Sequence, residues 1–329
     1  MDETDSVNDI KGIWLTWERQ RRNTGISSSL GWKLFEIAHN KSRAYRYTLC
    51  SIKTISIILK ERPDILVVQN PSIVLCSIAL LSKKIFRYKL IIDSHNSGIF
   101  PVEGRSKLLM CISKLLQRYA SLTLVSNEYL KTMVQENEGI AFVLPDRIPI
   151  VPQTRTVPLA EGVNVLYICT FSEDEPYAEV LKAARLLPEN ATVYFTGKYE
   201  GKLDTSFLPQ NVRLLGFVPE QKYWSLLSSA DLVMDLTTRE GCLVCGAYEG
   251  IAMSKPLVLS DTEALRSYFN RGCIYVAPTA DSIAKGIKSA IENYDNLVSE
   301  IEILKTSLKQ DWKMRLKLLK CAVSSLIQE

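Results

Sequence analysis

Short apolar runs separated by helical stretches constrain this chain more than any other feature. Asp64-Ile65-Leu66-Val67-Val68 is apolar in its last four positions and is ended by Gln69-Asn70-Pro71. Lys89-Leu90-Ile91-Ile92-Asp93 repeats the pattern. A strand wetted on one face alternates apolar and polar residues, whereas a strand covered on both faces reads as a continuous apolar run. Ser72 to Lys84 lies between these two runs, apolar on most sides, and reads as a helix. Gly12 to Thr16 reads as the first strand, with Trp17 to Asn23 as a loop or helix start. Leu34 to Ala38 reads as the second strand. Tyr47 to Glu61 is a helix stopped by Arg62-Pro63, because the residue before proline is pushed out of the helical region. Ser106 to Ala120 is helical, Leu122 to Val125 a strand, and Ser126-Asn127 caps the helix that follows. Strands alternating with helices at this spacing predict a doubly wound parallel sheet.

The rhythm breaks at Leu144 to Pro158, which holds Pro145, Pro149, Pro152 and Pro158. A proline-rich polar stretch of this kind marks a domain boundary. The same rhythm then restarts, with strands at Val163 to Ile168, Thr192 to Thr196, Val212 to Leu215, 231–235 and Ile274 to Val276. Residues 296–328 read as a long helical tail around Trp312. The expected domains are therefore 1–150 and a second beginning at 151, in keeping with a length of 329 residues.

Charge is unevenly shared between the halves. Residues 1–150 carry 21 Lys and Arg against 14 Asp and Glu, a balance of +7, and the remainder carries 19 against 22, a balance of −3. A basic first half suggests an anionic partner. No stretch reaches the roughly 18 apolar residues of a membrane span. The acidic start Met1-Asp2-Glu3 is not a signal peptide. Eight scattered cysteines then read as reduced residues of a cytoplasmic protein. Cys242-x-x-Cys245 raises redox or metal binding, but only two histidines and no second cysteine pair accompany it. No basic and aromatic pattern points to nucleic acid.

The chemistry concentrates between Asp235 and Asp261. Leu232-Val233-Met234 ends a strand, Thr237 to Gly241 is a polar loop, Gly246 to Ser254 is a helix stopped by Lys255-Pro256, and Leu257-Val258-Leu259 is a buried strand. Open α/β sheets hold ligands at the carboxyl ends of their strands, and the free amides of a helix start favour an anion. Glu249, early in the helix, can accept hydrogen bonds from paired hydroxyls. An anion site beside a diol site suits a nucleotide sugar.

Tyr248-Glu249-Gly250-Ile251-Ala252-Met253-Ser254-Lys255-Pro256 resembles the nucleotide-sugar-binding region of GT-B glycosyltransferases, in particular the retaining family 4. Val212-x-Leu-Leu-Gly-Phe-Val-Pro219, Tyr223-Trp224, Ser229 to Leu232, Thr196-Gly197, Val125-Ser126 and Ile91-Ile92-Asp93-Ser94-His95 extend the likeness. The family signature Glu-x7-Glu is altered here: Glu240 lies nine positions before Glu249 and Gly241 stands at the expected glutamate.

The resemblance implies two Rossmann-like α/β domains facing a cleft. The last helix, 309–329, crosses back to the first domain, and 151–308 holds the donor. It places Glu249 on the ribose hydroxyls. Glu240 and the amides of Gly241, Cys242 and Leu243 lie at the sugar and diphosphate. His95 is placed at the reacting centre. The family's Arg and Lys diphosphate clamp is replaced by Ser172-Glu173-Asp174-Glu175, and acids repel a diphosphate. Arg19, Arg21 and Arg22 of the first domain, Lys198 and Arg239 are the alternative sources of charge; a solvated helix face is the other reading of Arg19 to Arg22.

The amphipathic stretch Ser106 to Arg118, with Lys107, Lys114 and Arg118, and the basic segment Lys83 to Lys89 read either as attachment to an anionic membrane surface or as ordinary core helices with charged outer faces. The expected activity is transfer of a sugar from a nucleotide donor to a glycan or lipid-linked acceptor, with retention. It needs no metal or other cofactor, since no Asp-x-Asp signature is present. The alternative is a GT-B-shaped protein without turnover that serves a polysaccharide assembly complex as a scaffold. An epimerase on the same fold fits the family-4-like loop less well.

Overall fold

The structure, a computed structural model, describes residues 10–38 and 43–328; the polar tail expected at 1–9 lies outside them. The chain forms two compact units. One runs up to Arg147 and takes in the chain from Asp311 on, and the other is Ile148–Gln310.

The first unit is built on six parallel strands: β1 (Gly12–Thr16), β2 (Lys33–Glu36), β3 (Ile65–Asn70), β4 (Lys89–Ser94), β5 (Leu122–Val125) and β6 (Ala141–Val143). Their order across the sheet is β2-β1-β3-β4-β5-β6. β1, β3 and β5 are buried at every position, as continuous apolar runs between two helical layers require. One face packs on the helices Arg43–Glu61, Ile73–Phe86 and Lys107–Tyr119 through Cys50, Ile58, Leu75, Ala79 and Leu116. The other packs on the helix Arg21–Leu30 and on Trp312, Leu319 and Val323 of the last helix, Tyr294–Gln328. Trp312 Nε1 donates to the Pro145 carbonyl at 3.2 Å. The expected return of the C-terminal helix to the first sheet is therefore present.

The second unit repeats the design with β7 (Val163–Tyr167), β8 (Ala191–Phe195), β9 (Val212–Leu214), β10 (Leu232–Asp235), β11 (Leu257–Ser260) and β12 (Cys273–Val276). The order is β12-β11-β10-β7-β8-β9, again all parallel. The chain leaves β7 toward β8 and later returns to β10 on its other side, so the switch in strand order falls between β7 and β10. That crevice is where doubly wound sheets bind ligands. Ile301, Leu304 and Leu308, from the first half of the last helix, complete this unit's core.

Several short elements differ from the sequence reading. Arg21–Leu30 is a full helix closed by Gly31 in the left-handed region at φ 73°, where the sequence marked only a loop or helix start. β6 and the helix Glu263–Tyr268 were not expected; at three and six residues they are too short to show a periodicity.

Candidate functional site

The loops that follow β7 and β10 meet at the switch point of the second sheet. Asp174 stitches them together. Its carboxylate accepts from Thr237 Oγ1 at 2.7 Å and lies 3.3 Å from Arg239 Nη2, and its carbonyl accepts the Thr238 N–H at 2.7 Å. The acidic loop is held from within by Glu175. One carboxylate oxygen accepts the N–H groups of Thr170 and Ser172, both at 2.9 Å, and the other accepts from Thr170 Oγ1 at 2.9 Å. Phe171, between those amides, sits at φ 57°. Such a backbone is rare for a bulky residue, and it is held by packing of the buried ring against Tyr177, Phe195 and Tyr199. Amides converging in this way form an anion cradle, and here the protein's own carboxylate fills it.

The helix Cys245–Ala252 has no cap from its own N-terminal residue, Val244. Its cap comes from the end of β10, where Asp235 Oδ2 accepts the Gly246 N–H at 2.8 Å. The helix lies close on the sheet because its inner face is small. A Cβ on Gly246 would stand 2.4 Å from Ile168 Cδ1 and 2.6 Å from Asp235 Oδ2, and one on Gly250 would stand 2.5 Å from Leu257 Cδ2. Burial raises the Asp235 carboxyl well above the ordinary carboxylate range. The Gly246 N–H opposes this, and Glu175, Glu249 and Asp174 reinforce it.

Glu249 is half-buried on this helix, and its carboxylate accepts a hydrogen bond from the Tyr223 hydroxyl. Burial first, and then Glu249, hold the Tyr223 phenol above its usual range, so it remains a donor. Tyr223 belongs to the helix Glu220–Ser229. The sequence marked Tyr223 only as part of the family likeness, and marked neither Asp235 nor Glu175 as a site residue. A strand-ending acid eleven positions before a helical glycine is the signal that could have found Asp235.

The remaining candidates are placed as follows. Gly241 is buried, and Cys242 and Leu243 are half-buried and pack against the core. Glu240 is exposed and accepts the Glu263 N–H at 2.7 Å, which ties the loop to the start of the helix Glu263–Tyr268. Lys198 is exposed after β8, 6.0 Å from the centre of the Phe217 ring. Arg239 pairs with Asp174 rather than standing clear of the acids. All eight cysteines are free thiols, Cys242 and Cys245 included. Among the described residues, no group of three or more His, Cys, Asp or Glu is arranged to hold a metal.

In the first unit, Arg22 is not a solvated cation. It is 8% exposed and forks onto Asp93, with Nη2 to Oδ1 at 2.8 Å and Nε to both oxygens at 3.1 Å, while Nη1 meets Asp146 at 2.7 Å. Burial alone would depress the guanidinium, but Asp93 and Asp146 outweigh it and hold its pKa above the ordinary value. Two carboxylates already neutralise the charge that was expected to meet phosphate. Arg19 is exposed on the loop before this helix. His95 follows β4; its Nε2 is buried, lies 3.7 Å from Asp93 Oδ2 and has no hydrogen-bond partner among the described residues.

Residues 160–303 match the family described as Glycosyl transferases group 1. The match falls within the second unit, Ile148–Gln310. No curated protein matches the sequence. Among solved structures, Anabaena Alr3699/HepE in complex with UDP and glucose superposes with a TM-score of 0.74 at 14% identity, covering 96% of this chain and 100% of that one. Sucrose-phosphate synthase from Thermosynechococcus elongatus gives 0.77 at 12%, covering 97% and 99%. A glycosyltransferase from Rickettsia africae gives 0.64 at 12%, covering 99% and 94%. These likenesses establish the GT-B fold across the whole chain.

Proposed function

We propose that the group 1 domain binds a nucleotide sugar at the β7–β10 switch point, and that the protein transfers the sugar to a hydroxyl on a glycan or lipid-linked acceptor. The observation that carries this reading is Glu249, one turn into the helix that leaves the switch-point loop and oriented by Tyr223. A carboxylate accepts from two vicinal hydroxyls as a ribose presents them, and the main-chain amides of Gly241 to Leu243 are within the same loop. The Anabaena protein of the same fold holds UDP and glucose, which supports a donor of this class. Retention, independence of metal, and a place in polysaccharide or glycolipid synthesis rest on the resemblance to family 4 and are proposed with it. So is peripheral attachment of the first unit to a membrane face, where a lipid-linked acceptor resides.

Glu240 and Arg239 are proposed at the sugar and diphosphate, with Lys198 and Arg19 as further cations. Arg22 is left out because its guanidinium is fully engaged. His95 is proposed to act in turnover, so His95→Ala should lower kcat and leave UDP affinity unchanged.

Titration calorimetry with UDP, GDP and their sugars tests the donor site. Glu249→Ala should weaken binding by about tenfold or more, since hydrogen bonds to a charged group contribute about 1.5–3 kcal/mol each. Unchanged affinity in that variant would refute the assignment. A second reading, the scaffold without turnover, is favoured by one observation: the anion cradle of the acidic loop is already filled by Glu175. Wild-type protein that binds none of the nucleotides would select it.

A further inference from the structure

The helices Arg43–Glu61, Ile73–Phe86 and Lys107–Tyr119 form a single layer on one face of the first sheet, with Ile73–Phe86 packed between the other two. Their inner stripes fill the core. Their outer stripes should be polar, yet Leu81 is 78%, Ile85 74%, Leu108 71% and Ile52 61% exposed, and Leu59 and Leu115 are exposed with them. On each helix these positions share one side: 52 and 59, 81 and 85, and 108 and 115 are spaced by four or seven residues. Five of the six adjoin a lysine in sequence, as Ile52-Lys53, Leu59-Lys60, Lys84-Ile85, Lys107-Leu108 and Lys114-Leu115.

Across the three helices there are nine Lys and Arg and one acid, Glu61. Glu61 faces Lys33 at 3.0 Å and Lys11 at 3.8 Å. Arg118 is shared with Glu138 of the next helix, and Lys83 donates to the Tyr119 carbonyl.

We infer that this three-helix face seats on an anionic lipid bilayer, with the apolar side chains entering the headgroup region and the lysines meeting the phosphates. The inference rests on the membrane attachment proposed above and names the surface and the lipid charge. Lysine is depleted from protein–protein interface cores, whereas alternation of apolar side chains with long cationic stems that reach back to the headgroups suits an interfacial helix. The positive excess selects anionic over zwitterionic lipid. No helix among the described residues is long and apolar enough to cross a membrane, so the contact is lateral.

Cosedimentation of the full chain with vesicles tests this. Wild-type protein should pellet with phosphatidylcholine vesicles containing phosphatidylglycerol, not with phosphatidylcholine alone, and should be released as salt rises. The pairs Leu81→Ser with Ile85→Ser, and Lys107→Glu with Lys114→Glu, should each weaken binding by about tenfold or more. Both pairs alter exposed positions and should keep wild-type melting and UDP titration. Binding by both pairs at wild-type strength overturns the face while leaving attachment standing. Failure of the wild type to pellet with both kinds of vesicle overturns both. Sedimentation velocity that shows a dimer lost in the serine pair, without vesicle binding, assigns the face to a second copy and also overturns it. Absence of UDP binding in every protein would instead strike the donor reading, independently of the vesicle result.

Discussion

Gly246→Ala pits two opposite effects against each other, and the structure says which is larger. Alanine within a helix is favoured over glycine by up to about 1 kcal/mol. At Gly246, however, the new methyl would sit 2.4 Å from Ile168 Cδ1, 2.6 Å from Asp235 Oδ2 and 3.2 Å from Asp235 Cβ. Ile168 can turn its terminal carbon aside. Asp235 cannot move without breaking the 2.8 Å bond to the Gly246 N–H, the bond that caps the helix. Overpacking costs about 1–3 kcal/mol, and a buried polar group left without its partner costs about 1–3 more. The net expectation is a loss of about 1–5 kcal/mol after the helix-propensity gain. Gly25→Ala is the control. It lies inside the helix Arg21–Leu30 with nothing within 4 Å of its added Cβ, so the same substitution should stabilise by up to about 1 kcal/mol. Because the two positions belong to different units, urea unfolding should be followed by circular dichroism together with hydrogen exchange resolved by peptide. Gly246→Ala should shorten protection in Ile148–Gln310 alone and weaken UDP binding. A Gly246→Ala protein as stable as Gly25→Ala would refute the claim that this helix is pressed onto the sheet.

Two other outcomes follow from the acids of the switch point. Burial raises the Asp235 carboxyl in the fold, and unfolding returns it to the ordinary carboxylate range. Its contribution is therefore complete below the unfolded carboxylate value and is lost as pH rises toward the raised folded value, with a slope of at most about 1.4 kcal/mol per pH unit. Asp235→Asn carries no charge at any pH, so the gap between its urea midpoint and that of the wild type should change steadily from pH 5 to pH 7 in the variant's favour; parallel profiles would contradict a raised carboxyl. Glu175→Ala empties the cradle of the Thr170 and Ser172 amides. It should destabilise the second unit by about 1–3 kcal/mol and gain heat on titration with inorganic pyrophosphate where the wild type shows none. No pyrophosphate binding in a folded variant would mean the amides are not an anion site.

The alternation of apolar strands and helices was legible because burial on both faces of a parallel sheet requires continuous runs such as Ile65 to Val68. The prolines from 145 to 158 marked the break in that rhythm for a similar reason: proline interrupts both kinds of regular structure. The stretch around Glu249 could also be read, since a helix lying close on a sheet needs small residues, and Gly246, Ala247, Gly250 and Ala252 supply them along the chain. What a linear reading could not reach was pairing between loops. The acids at 173–175 looked repulsive to phosphate, but only the fold shows that Asp174 and Glu175 are engaged by hydroxyls, amides and Arg239. Arg22 looked like a free cation beside Arg19 and Arg21, and its burial against Asp93 and Asp146, 71 and 124 positions away, has no local trace. Periodicity is set by burial, which each segment feels along its own length and so writes into its sequence. The state of a charge depends on partners that the tertiary structure brings from elsewhere, and those partners decided which carboxylates and cations of each unit remain available to a ligand.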